Sequence, residues 1–95
     1  PVDKNERIKR IKQLEILSKN HNQSQIFIET PYRNKALFED LIKSLNDNTL
    51  LCVATNIGSK KERIKTLSVN DWKRKKLNLE KDPTIFIFHW GDLIF

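Results

Sequence analysis

The chain has 95 residues, 38% of them hydrophobic and 32% charged, a size and balance that suit one small globular domain. About two-thirds of the unfolded surface can be buried at this size, which excludes a large enclosed active site. The formal charge of +6 and pI near 9.6 point to an anionic partner, nucleic acid ahead of a membrane surface, while a merely solvated basic surface would give the same numbers.

Asp3 and Glu6 fit the carboxylate form of a capping box. Ile8, Ile11, Leu14 and Leu17 follow at helical spacing, which predicts a helix from Lys4 to Lys19. Asn20 to Ser24 is a polar connector, with His21 as an exposed residue rather than a ligand, since no His, Cys or carboxylate stands at metal-ligand spacing from it. Ile26, Phe27 and Ile28 then form a β-branched and aromatic run. Thr30-Pro31 supplies a helix N-cap followed by proline at the first helical position, so a strand turns directly into a helix. Glu29 sits at that junction, where an open α/β sheet binds ligands; a simple ion pair with Arg33, one turn on, is the alternative role.

The second helix shows one broad apolar face in Leu37, Phe38, Leu41, Ile42 and Leu45, and Asn46-Asp47-Asn48 stops it. Thr49 to Ile57 reads as a strand buried on both sides, because Leu50 to Ala54 is apolar without alternation. Cys52 lies within it, cannot form an internal disulfide and packs as a small apolar residue; a reducing cytoplasm is the matching compartment. Gly58-Ser59 breaks the strand, and Glu62 to Thr66 alternates as a half-exposed hairpin partner would. Ser68 and Asp71 form a second capping box with Leu67 and Trp72 as a hydrophobic staple, and the short basic helix runs to Lys76. Pro83 opens a last strand, Thr84 to Phe88, whose apolar run again implies cover on both faces, and Gly91-Asp92 can turn the chain toward Leu93-Ile94-Phe95. His89 and Trp90 beside that turn are explained by packing. No apolar run approaches the roughly 18 residues of a membrane span, and the N-terminus has no signal-peptide apolar region.

The order helix, strand, helix, strand, strand, helix, strand predicts a single α/β domain. With only Gly58 and Gly91, the chain cannot carry a Gly-x-Gly-x-x-Gly dinucleotide loop or a P-loop. Cys52 lacks the electropositive, accessible setting of a nucleophile, and no Ser-His-Asp arrangement stands out.

The segment Phe27-Ile28-Glu29-Thr30-Pro31-Tyr32-Arg33 resembles the Phe-Tyr-Glu-Ala/Ser-Pro-His-Arg motif of the tetrapyrrole methylase superfamily, most closely its small-subunit rRNA 2′-O-methyltransferase I branch. Glu29, Pro31 and Arg33 match; Thr30 and Tyr32 depart. A fainter likeness covers nearly the whole chain. Ala54-Thr55-Asn56-Ile57 stands where the family has Arg-Glu-Leu-Thr, and Leu67 to Trp72 stands where it has Gly-Thr-Leu-x-Glu-Leu, without the glycine.

The resemblance implies the C-terminal half of the tetrapyrrole methylase fold, a mixed and largely buried sheet flanked by helices, in an S-adenosylmethionine-dependent methyltransferase. The Gly-rich cofactor loops would belong to an N-terminal domain absent here, so residues 1–95 would be a fragment, inactive alone; the start at Pro1 without methionine agrees with that expectation. Glu29, Thr30, Asn56, Ile57, Pro83 and Thr84 resemble cofactor-contacting positions. Arg33, Lys60, Lys61, Arg63 and Lys65 would hold an RNA substrate through phosphate contacts. The resemblance assigns no catalytic base and no metal. Alternatives are a free-standing basic nucleic-acid-binding module, a tetrapyrrole-type small-molecule methylase, and a structural or oligomerisation domain. We also expect a homodimer, because removing one domain of two uncovers apolar surface, with Phe86, Phe88, Trp90 and Phe95 at the contact.

Overall fold

Leu37, Phe38, Leu41 and Leu45 recur at helical spacing and need one face of their helix covered. In the computed structural model, which describes residues 3–75, 77–79 and 81–91, that face packs on a four-stranded sheet, meeting Leu51, Val53, Phe86 and Phe88 in one core cluster. The elements are α1 (Lys4–His21), β1 (Gln25–Ile28), a 3-10 turn (Pro31–Arg33), α2 (Asn34–Ser44), β2 (Leu50–Thr55), β3 (Arg63–Ser68), α3 (Val69–Lys73) and β4 (Thr84–His89). This is the expected order, and the protein is a small α/β domain.

The sheet runs β1-β4-β2-β3. Every pairing is antiparallel, not mixed as expected. The reason lies in the topology. β1 and β2 do run in the same direction, joined by the α2 crossover of a split β-α-β unit, but β4 inserts between them and opposes both.

Among the described residues, the sheet is also covered on one side only. Directly paired residues share a face, so Phe27, Phe86 and Val53 point to the helices while Ile26, Ile87 and Cys52 point away. On that second face Ile26 is 61% exposed and Ile64 59% exposed, and Cys52, Ile85 and Ile87 are half-buried. The unbroken apolar runs of β2 and β4 thus reflect one helix-covered face and one open isoleucine face. Cys52 lies on the open face and not in the core. Phe86 and Phe88 are fully covered within the chain itself, and β4 is an inner strand with no free edge. They cannot form the dimer contact expected of them, and Phe95 and the proposed strand Leu93–Phe95 lie outside the described residues.

Local signals account for most boundaries. The Asp3 carboxylate accepts the Asn5 N–H (3.1 Å), and Asn22 ends α1 in the left-handed conformation (φ 53°), its N–H donating to the Ser18 carbonyl. The buried stripe of α1 is Ile11, Glu15 and Ser18, at the i, i+4, i+7 spacing of a 3.6-residue turn, which leaves Leu17 exposed. Ser68 caps α3 as predicted, its Oγ accepting the Asp71 N–H (3.1 Å), and Trp72 donates Nε1–H to the Leu51 carbonyl (2.7 Å). α3 ends at Lys73; Lys76 lies outside the described residues.

Candidate functional site

Because β1 and β2 run in the same direction with β4 antiparallel between them, the ends of β1 and β2 and the start of β4 meet at one edge of the sheet. The register states this directly: Ile28 pairs with Ile85, and Thr55 with Thr84. The segments following β1 and β2 and preceding β4 therefore lie side by side. They enclose an open groove of about 310 Å³ whose lining includes Glu29, Ala54, Ile57, Pro83, Thr84 and Ile85. Four of the six expected cofactor positions thus share one wall. Asn56, in the left-handed conformation (φ 52°), ties the groove together by donating its N–H to the Pro83 carbonyl (3.0 Å). Its own side lines an adjacent hollow. Thr30 is exposed beside the groove and outside its lining.

The chain enters α2 differently from the sequence expectation. Thr30 makes no side-chain capping bond, and a 3-10 turn starting at Pro31 intervenes, with the Arg33 N–H donating to the Thr30 carbonyl (2.9 Å). Glu29 does not pair with Arg33. Its Oε1 accepts the Thr30 N–H (2.9 Å) instead, and since a carboxylate has about four lone-pair sites, acceptor capacity is left for a ligand in the groove. Asn34, fully buried, donates Nδ2–H to the Asp82 carbonyl (2.6 Å) and so holds the segment before Pro83 against the start of α2.

The hollow next to the groove, of about 400 Å³, is lined by Asn56, Lys60, Lys61, Glu62, Arg63 and Asp82. Three of the five expected substrate-binding cations are here. The β2–β3 turn presenting them is internally fixed: Ser59 donates Oγ–H to the Asn56 carbonyl (2.9 Å), and the Gly58 N–H (φ 86°) donates to Glu62 Oε1 (3.0 Å). Glycine relieves the steric cost of that positive φ. Arg33 is half-buried at the end of the 3-10 turn and lines neither cavity.

Lys65 is elsewhere. It pairs with Val53 and so projects from edge strand β3 on the helix side, into a hollow of about 600 Å³ with Arg63, Trp72, Lys75 and Leu77. Hydrogen bonding to Lys75, reinforced by repulsion from its charge, holds the Lys65 ammonium below the ordinary lysine range. Sequence reasoning placed Lys75 in a basic run but gave it no role. It also passed over Tyr32, 80% exposed, with the Lys81 Nζ 5.6 Å from its ring centre; the signal available was an aromatic following proline at the start of a helix. Among the described residues no group of three or more His, Cys, Asp or Glu could hold a metal ion, and no helix is long and apolar enough to cross a membrane.

Compared with known families and with curated proteins, the chain matches none.

Proposed function

We propose that this chain is the C-terminal domain of an S-adenosylmethionine-dependent methyltransferase of the tetrapyrrole methylase type, acting on ribosomal RNA in the cytoplasm. The observation that carries the reading is the groove that brings Glu29, Ile57, Pro83 and Thr84 together from three separate segments. Its residues fit the cofactor: Ala54, Ile57, Pro83 and Ile85 offer an apolar wall for a purine, and Glu29 offers an acceptor for a ribose hydroxyl. When bound, the cofactor supplies an electrophilic methyl group. This chain's part is to exclude water from one side of it and to position the acceptor, with Lys60, Lys61 and Arg63 holding phosphates beside the groove.

One wall makes half a site. A ligand that keeps roughly half its contacts loses several factors of ten in affinity, at about 1.4 kcal/mol each. The isolated 95 residues should therefore show no methyl transfer and should fail to bind S-adenosylmethionine at low-micromolar concentration in a calorimetric titration. The protein extended by the reading frame upstream of Pro1 should transfer labelled methyl groups to small-subunit rRNA, and Glu29→Ala should slow that transfer about tenfold or more. An extended protein that neither binds the cofactor nor labels RNA would overturn the reading, as would low-micromolar binding by the isolated chain.

A further inference from the structure

We propose that the surface running from Tyr32 across Leu77 to Lys65 and Lys75 binds single-stranded RNA, with one base stacked on the Tyr32 ring and phosphates against the flanking ammonium groups. The inference deepens the reading above, since it takes RNA as the ligand and names where the strand lies.

Tyr32, 80% exposed, is the most exposed large hydrophobic side chain among the described residues. Pro31 fixes the backbone just before it, and the ring borders a hollow of about 690 Å³ together with Lys35, Leu77 and Lys81. The Lys81 ammonium lies over the ring at 5.6 Å, which favours this orientation of the phenol. An exposed aromatic ring flanked by cations is the element on which unpaired bases stack, whatever their sequence.

Leu77 also lines the hollow that contains Arg63, Lys65 and Lys75, so the two depressions lie on either side of this one side chain. Among the described residues, five cations line them against one carboxylate, Glu62, and the Glu62 Oε1 is engaged by the Gly58 N–H. Lys65 comes from β3 and Lys75 from the segment after α3, and both line the second hollow, so two elements bring two ammonium groups to one depression. Like charges brought together this way are relieved by an anion between them, and a backbone phosphate supplies one. A duplex would keep its bases stacked away from the Tyr32 ring, so the arrangement selects a single strand.

Fluorescence anisotropy with a labelled twelve-nucleotide oligouridylate and the 95-residue chain tests this. Tyr32→Ala should weaken binding roughly 5- to 150-fold, the loss of one stacked base, and Tyr32→Phe should restore it. The double variant Lys65→Gln, Lys75→Gln should lower the log-log salt slope by about 1.4, two single-strand phosphate contacts, while Lys12→Gln on α1 should leave it unchanged. Circular dichroism should show all variants folded, since the substituted side chains are exposed. No binding at low salt, equal binding by Tyr32→Ala, or equal affinity for a duplex would each overturn the inference. Tyr32-dependent RNA binding by a protein with no methyl transfer would sink the enzyme reading and leave this one standing; methyl transfer unaffected by Tyr32→Ala, with no oligouridylate binding, would do the reverse.

Discussion

Glu15 is 6% exposed, and its carboxylate accepts three hydrogen bonds: from the Asn46 N–H (2.9 Å), the Asn46 Nδ2–H (2.9 Å) and the Thr49 Oγ–H (2.7 Å). It thereby fixes the turn between α2 and β2 against α1. Removing a buried acceptor leaves its donors unsatisfied, and each costs more than the bond itself contributed. Glu15→Ala should therefore destabilise the domain by about 2–4 kcal/mol and Glu15→Gln, which keeps the shape and one acceptor oxygen, by about 1 kcal/mol, as read from urea denaturation; equal losses would mean that the site needs the full acceptor capacity of a carboxylate and that shape alone contributes nothing. None of this was legible in the sequence. Glu15 occupies a position where the helical repeat calls for an apolar residue, and its partners lie more than thirty residues away. Asn34 is equally illegible, its Nδ2–H donating to the Asp82 carbonyl across the fold while its buried Oδ1 has no partner among the described residues. The placement of Glu29 and Pro83 at strand ends was legible because their neighbours, not distant partners, mark those ends.

α2 was the clearest element to read, since four apolar side chains at helical spacing have no other way to leave water. Leu37, Phe38, Leu41 and Leu45 are all in the core, Phe38 meeting Trp72 edge-on at 5.6 Å. Leu41→Ala or Phe38→Ala should cost about 2–5 kcal/mol, and thermal unfolding showing less than about 1 kcal/mol for both would contradict the packing. β3 was harder. Its alternation was legible, but not its sense: Arg63 and Lys65 lie on the helix side with Val53 and Thr55, and Ile64 faces out. A period of two gives alternation without saying which set is buried. At a sheet edge, beyond the cover of α3, long cationic side chains can lie along apolar surface with their charges in water, so the usual assignment reverses.

At the scale of the whole molecule, the two faces of the sheet carry similar residues in opposite circumstances. Phe86 and Val53 pair on the helix side and Ile26 and Ile87 on the other. Composition along β2 and β4 cannot distinguish them, because an apolar run is the same whether both faces are covered by one chain or one face is left open. The energetics do distinguish them. Phe86 is fully buried, and truncation leaves a cavity as well as losing the transfer energy, so Phe86→Ala should cost about 3–5 kcal/mol out of a total stability of about 5–15 kcal/mol. Ile26 and Ile64 already face solvent over more than half their surface. Replacing them with Thr keeps a β-branched side chain suited to a strand, and the double variant should stay within about 1 kcal/mol of wild type, at about 0.5 kcal/mol per surface substitution. If the open face also drives copies of the isolated chain together, the same double variant should sediment closer to a monomer than wild type does at tens of micromolar. A loss of several kcal/mol for Ile26→Thr, Ile64→Thr at concentrations where the chain is monomeric would place those isoleucines in a core the domain builds for itself, and would overturn the one-sided sheet.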